Sequence, residues 1–487
     1  MEEDEIARLR RKLDAIGREL GAVTEAEYRS LATKPPAPRL QQPLASNVVT
    51  LTTPAKQQQK QQQVQREQQQ VQQNIVPLTP RRQEKKDGPK PEGTGREILL
   101  QGFNWESWKN NWYDTVTQQA QEIADMGFTA VWLPPFTDSV SEQGYMPRDL
   151  YCLNSKYGSE EQLIRCVKSL QERGIKVLGD AVLNHRCAHS QGQGGIWNQF
   201  GGKLAWDEKA IVGDQGEYGG RGNRSSGDCF GAAPNIDHSQ SFVKRDLCEW
   251  LVWLRKHVGF DGWRLDFVKG FHGSHVKDYM EASQPEFAVG EYWDSLAYEW
   301  DGTPCHNQDG HRQRIVNWIN AAGGLATAFD ITTKGILHAV FERCEYWRLR
   351  DAAGKPAGLL GWWPSRSVTF LENHDTGSTQ GHWRFPGHAL EQGYAYILTH
   401  PGTPTVFYDH IYGNSQLRHV VERLMDMRKN NGIHCRSTVK ILKAERDVYA
   451  AEIDDKLVVK IGPGDFAPAG GYSIADCGHC WAVWTKQ

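Results

Sequence analysis

Asp180-Ala-Val-Leu-Asn184-His185 closes an apolar run that begins at Lys176 and has the composition of a buried strand. Three later segments end in the same way: Gly262-Trp-Arg264-Leu-Asp266, Glu291-Tyr-Trp293 and Phe370-Leu-Glu-Asn373-His374-Asp375. Each carries carboxylates at the end of an apolar, strand-like run, and helical patterns lie between them. Parallel strands closed into a barrel would bring all four ends to one rim, which is where such barrels place their chemistry.

Working outward, strand-like stretches fall at 98–105, 129–133, 176–183, 262–267, 287–292, 327–331, 367–371 and 405–408. Helical patterns lie at 115–126, 160–173, 242–257 and 390–399, and two more end at Arg343 and Arg428. Strands alternating with helices predict an α/β fold, a (β/α)₈ TIM barrel over residues 96–432. A Gly-rich stretch without periodicity, 186–240, reads as a small domain inserted after the third strand. From Ile433 the pattern changes to short strands such as Leu457-Val-Val-Lys-Ile461, separated by Gly-rich turns. This predicts an antiparallel β domain over 433–487.

Residues 1–95 differ. Ile6, Leu9, Leu13, Ile16 and Leu20 recur at helical spacing, so 5–20 is a candidate for weak self-association through a short amphipathic helix. Pro-rich, Gln-rich and basic stretches follow, and 25–95 is expected to be a disordered linker. A net charge of -3 gives no electrostatic reason to expect nucleic acid or an anionic membrane. No apolar run reaches the roughly 18 residues of a spanning helix. The ten cysteines are scattered, which favours a reducing compartment. Neither a secretory signal nor a transit peptide is visible at the acidic start.

Asp266, Glu291 and Asp375 would converge on the barrel rim, and that is the equipment for breaking a glycosidic bond. Arg264 and Asp266 lie two apart on one strand and share a face. An arginine there lowers a carboxylate pKa, so Asp266 is the expected nucleophile. Glu291, among Phe287, Tyr292 and Trp293, is the expected acid/base, because desolvation helps a carboxyl keep its proton. Asp375 is suited to stabilise positive charge at the anomeric carbon. His185 and His374, each beside an Asn, can donate to sugar hydroxyls.

These four segments resemble the short signature regions of the α-amylase family of glycoside hydrolases. Within it the chain looks most like the plant-type group, and there like its plastidial members. The likeness spans roughly 96–487 and includes Gln101-Gly-Phe-Asn-Trp-Glu106, Gly144-Tyr-Met-Pro147, Leu178-Gly-Asp-Ala-Val-Leu-Asn-His-Arg186, Asn373-His-Asp-Thr-Gly-Ser-Thr-Gln380 and Gly393-Tyr-Ala-Tyr-Ile-Leu-Thr-His-Pro401. It implies endo-hydrolysis of α-1,4 bonds in starch and related glucans with retained configuration. It also implies the same three roles for Asp266, Glu291 and Asp375. Tyr145 would stack under the sugar next to the scissile bond, and Arg264, His185 and His374 would bind at the subsites. Lys269 and Trp293 join them as expected sugar contacts.

The resemblance further implies a structural calcium held by Asn184, Asp228 and the carbonyl of Gly270. Secreted plant forms carry another aspartate where this chain has Tyr218-Gly-Gly220, so one ion, fewer than in those relatives, is expected. A plastid location follows from the resemblance, with the cytoplasm as the alternative. Trp362-Trp363, a tandem pair before Pro364, resembles a cereal surface starch site. Cys477-Gly-His-Cys480 has the spacing of a redox pair but sits in an expected hairpin, not a thioredoxin-like setting. Two other readings stay open: a silent glucan-binding protein, and a transglycosylase or debranching enzyme on the same scaffold.

Overall fold

The computed structural model describes residues 91–486. The helix expected over 5–20 and all but the end of the linker lie outside the described residues. Eight parallel strands close a barrel in sequence order: β1 (Leu99–Gln101), β2 (Ala130–Pro135), β3 (Lys176–Ala181), β4 (Gly262–Leu265), β5 (Phe287–Gly290), β6 (Thr327–Phe329), β7 (Ser367–Phe370) and β8 (Thr403–Phe407). Leu99 registers with both Thr405 and Ala130, so β1 closes the ring between β8 and β2. Every residue of β1 and β2 is buried, as a sheet covered on both faces requires.

Around the barrel run α1 (Trp112–Met126), α2 (Glu160–Gln171), α3 (Ser241–His257), α4 (Gly273–Ser283), α5 (Asp309–Ala321), α6 (Ile331–Arg343), α7 (Leu390–Thr399) and α8 (Ser415–Asn430). Ser159 and Gln162 form a reciprocal capping box at the start of α2. Gly127, at φ 96°, ends α1 in the left-handed conformation that glycine adopts without penalty. Between β3 and α3, residues 182–240 hold only short 3₁₀ turns and a two-stranded ribbon, the irregular insertion expected there. Strands β9 (Val439–Ala444), β10 (Tyr449–Ile453), β11 (Leu457–Ile461), β12 (Tyr472–Gly478) and β13 (Trp481–Lys486) make an antiparallel sheet in the order β9-β10-β11-β13-β12. It docks on the barrel through Tyr449, whose hydroxyl lies 2.9 Å from His400 Nε2. Cys477 and Cys480 flank the β12–β13 turn, and both are free thiols.

The expected linker end is corrected. Pro91, Glu92 and Gly95 are buried, with Glu92 only 1% exposed. Its carboxylate takes Arg366 Nη1 at 2.6 Å and also pairs with Arg436, while Pro91 O accepts the N–H of Ala288 at 3.1 Å. Two distant arginines thus bury a residue that reads locally as linker. Glu92→Ala should destabilise the protein by about 2 kcal/mol, less than the 3–5 kcal/mol of breaking a fully buried pair because Arg436 reaches solvent. Urea unfolding checks this, and an unchanged midpoint would show that the tether contributes nothing.

Candidate active site

β3 and β4 are in register with Asp180 opposite Arg264, so both polar side chains enter the barrel mouth side by side. Arg264 is 1% exposed and grips three carboxylates. Its Nη1 donates to Asp180 Oδ1 at 2.9 Å and Asp266 Oδ1 at 2.6 Å, and its Nη2 lies 2.9 Å from Glu291 Oε1. Asp266 and Glu291 therefore meet on two arms of one guanidinium. Beyond β4 the chain bends sharply, with Phe267 at φ 42°, a region that bulky residues rarely occupy. That bend aims the Phe267 N–H at Glu291 Oε2, 3.2 Å away.

One cation against three buried carboxyls leaves excess negative charge, so they cannot all ionise at the usual pH. Burial pushes Glu291 up to about 8, opposed by Arg264 and reinforced by Asp266 and Asp375. Burial pushes Asp266 up to about 7 and Asp180 to about 6, each opposed by Arg264. The expectation that Arg264 would hold Asp266 low is thus corrected, because burial outweighs the pairing. Glu291 and Asp266 titrate as one buried pair, both raised by burial and both opposed by Arg264.

Tyr145 donates its hydroxyl to Asp180 Oδ2 at 2.8 Å, and Trp132 Nε1 donates to the same atom at 2.9 Å. The ring of Tyr145 stacks parallel to His374 at 5.0 Å, and Trp105 lies parallel to both at 6.2 and 6.0 Å. Gln101 Nε2 lies 3.0 Å from His374 Nδ1, which leaves Nε2 to carry the proton facing Asp375 Oδ2 at 3.4 Å. Burial lowers His374 and His185 to about 4, so both rings are neutral. His185 places Nε2 2.8 Å from Tyr145 O, has Asn184 Nδ2 3.3 Å from Nδ1, and stacks on Phe230. It holds Tyr145 instead of presenting the free donor that the sequence suggested.

Asp375 sits on the loop beyond β7, partly exposed, and its charge reaches both Asp266 and Glu291. Trp293 packs edge-on to Phe370 and Trp383. Lys269 Nζ is taken up by Asp228 at 2.8 Å and Asp294 at 2.9 Å. The sequence reading quoted Asp180, Trp105 and Gln101 within its segments but gave none of them a role. Asp180 alone had a local signal, a carboxylate inside an otherwise apolar strand.

Among the described residues no cluster of three or more His, Cys, Asp or Glu is arranged for a metal ion. Asn184 nevertheless fits an ion-binding role. Its Nδ2 donates to Asn235 Oδ1 at 3.0 Å, and its buried Oδ1 is left without a partner. That oxygen points at Gly270, where an added Cβ would come within 2.0 Å of it. Asp228, by contrast, is exposed and engaged by Lys269. Trp362 and Trp363 are half-buried; the Arg312 guanidinium lies 3.8 Å from the Trp362 ring and that of Arg366 lies 5.5 Å from Trp363.

A family model described as the alpha amylase catalytic domain matches residues 108–193, and one described as the alpha-amylase C-terminal beta-sheet domain matches 430–485. "Alpha-amylase 3, chloroplastic" of Arabidopsis thaliana is 61% identical over 396 residues, 80% of this chain but 44% of that protein. The chain thus spans less than half the length of that relative. "Probable alpha-amylase 2" of the same plant is 49% identical over 395 residues, 80% of this chain and 94% of that protein. The solved structure of an α-amylase from Malbranchea cinnamomea shares the fold, with TM-score 0.61 at 15% identity over 82% of this chain and 98% of that one. Barrel, C-terminal sheet and near full-length likeness to a plant relative agree: the chain belongs to the α-amylase family of glycoside hydrolases.

Proposed function

We propose that this chain hydrolyses internal α-1,4 bonds of starch and related α-glucans with retention of configuration. The observation that carries this reading is the pair Asp266 and Glu291 held on two arms of one guanidinium, with the Phe267 N–H on the second oxygen of Glu291. Glu291 gives its proton to the glycosidic oxygen as Asp266 attacks the anomeric carbon. The C–O bond breaks, the leaving glucan departs with the proton, and a glycosyl ester forms on Asp266. Glu291, now a carboxylate, takes a proton from water, whose oxygen displaces Asp266 from the face opposite the ester, the one the leaving glucan vacated. Asp375 stabilises the positive charge that develops at the anomeric carbon, and Tyr145 stacks under that sugar. Incubating Glu291→Gln with α-maltotriosyl fluoride tests this, since fluoride leaves without acid help. Mass spectrometry should find a maltotriosyl ester on Asp266. No adduct, or one elsewhere, would contradict the assignment.

Asn184 Oδ1 and the Gly270 carbonyl would hold one calcium ion, with Asp228 joining once it leaves Lys269. Hard neutral and anionic oxygens of this kind suit calcium. The ion would brace the wall beside His185 and Asp266. Exhaustive chelation should lower the melting temperature by about 5 °C if the ion is present at 100-fold over its Kd. An unchanged Tm with no metal by elemental analysis would remove calcium from the reading. A plastid location is supported by the likeness to a chloroplastic relative.

Trp362 and Trp363 are proposed as a surface glucan site, with an arginine backing each ring. At about 0.5–1.5 kcal/mol per ring, replacing both with Ala should weaken granule adsorption roughly tenfold. Turnover of a short soluble oligosaccharide should not change. Unaltered adsorption in a folded double variant would discard the site.

A further inference from the structure

We propose that Lys334 is a positioning residue for Asp375, its ammonium tying together the two ends of the loop that carries His374 and Asp375. The inference rests on the role of Asp375 given above.

Lys334 lies on α6 and is fully buried. Its Nζ donates to Leu371 O at 2.6 Å and to Trp383 O at 3.3 Å, and lies 3.0 Å from His338 Nε2. An ammonium has three hydrogens, and these three acceptors use them all. Among the described residues no carboxylate forms an ion pair with it. Burying such a charge is costly, and an aliphatic side chain would fill the space without that cost. What lysine adds is the link between two carbonyls that lie twelve residues apart in the chain.

Leu371 O is at the end of β7 and Trp383 O is where the loop returns. Between them, Asn373 Oδ1 accepts the N–H of Asp375 at 3.1 Å and of Thr376 at 3.0 Å, which shapes the turn. Glu372 adds a second fastening: Oε1 accepts the Phe385 N–H and Oε2 lies 3.0 Å from His410 Nε2. Trp383 stacks on His338 at 4.5 Å and meets Trp293 edge-on at 6.1 Å. Burial lowers Lys334 to about 7, against the pull of Glu372, as expected for a cation held chiefly by carbonyls.

A double-mutant cycle on the full chain tests the clamp, with kcat and KM measured on maltoheptaose. Lys334→Met, checked for folding by its thermal transition, should lower kcat at least tenfold with KM within about twofold. Added to Asp375→Asn, it should cost no more than about threefold further, because both changes remove one contribution. If Lys334→Met does not fold, Lys334→Gln, which keeps a neutral donor, takes its place in the same cycle. A folded Lys334 variant with kcat within twofold of the wild type, or losses that multiply in the double variant, would overturn the proposal. Activity retained in Asp375→Asn alone would instead strike the role given to Asp375.

Discussion

Asp266→Asn and Glu291→Gln should each nearly abolish hydrolysis of soluble amylose while leaving the thermal transition in place. Losing a nucleophile that forms a covalent intermediate costs on the order of 10⁴–10⁶ in kcat, and losing a general acid about 10²–10⁴. The two should also differ in kind. Glu291→Gln should recover much of its rate on a glycosyl fluoride, whose leaving group needs no proton, and Asp266→Asn should not. Comparable activity in either variant on amylose would dismiss that residue's role. The pH dependence follows from the same environment. Glu291 must be protonated to act, so kcat/KM should fall as pH rises through about 8, the value to which burial pushes it. On the acid side kcat/KM falls as Asp266 takes up its proton. A profile flat from pH 7 to 10 would contradict the assignment of the acid.

The second large effect belongs to Arg264. Its guanidinium touches Asp180, Asp266 and Glu291 with almost no access to solvent. Arg264→Met removes the cation and leaves three buried carboxyls facing one another. Breaking such a pair costs about 3–5 kcal/mol, and part of that is relieved if the carboxyls take up protons. Without the cation, every carboxyl pKa in the cluster rises further. A protonated Asp266 is no nucleophile, so activity at pH 7 should fall at least 10³-fold, the order expected when a catalytic group is disabled. The remaining activity should peak at higher pH than in the wild type. Stability should move the other way with pH: carboxyls with raised pKa favour folding when protonated, so the variant should lose stability as pH rises through their folded values. A variant as stable and active as the wild type at pH 7 would mean that Arg264 does not organise the site.

The strand ends that carry Asp266, Glu291 and Asp375 were legible because an apolar run bounded by polar residues marks both a strand and its rim. The barrel followed from their alternation with helices. Helix α5 was harder to read, since His311 and Arg312 are buried among Ile315, Val316 and Ile319 and blur the apolar stripe. Helix α4 begins on a glycine and is short. In the site, Asp180 was seen as a strand-end carboxylate but given no role, because its meaning comes from Arg264, on the neighbouring strand but 84 residues away. Trp105 and Gln101 act through stacking and hydrogen bonding on His374, contacts between opposite ends of the barrel sequence. The proton affinity of Asp266 depends on burial, which no local pattern displays, so the neighbouring arginine alone gave the wrong sign of shift. Glu92 fails to read as core for the same reason: its partners Arg366 and Arg436 lie more than 270 residues on.

The most direct measurement is the configuration of the first product released. Proton NMR of maltoheptaose hydrolysis, recorded before mutarotation, should show the α-anomer signal of the new reducing ends growing first and the β signal only later. Attack by Asp266 on one face, followed by water on the opposite face that the leaving glucan vacated, can give nothing else. A β-anomer appearing first would mean a single displacement by water, and would contradict Asp266 as nucleophile and the retaining mechanism with it.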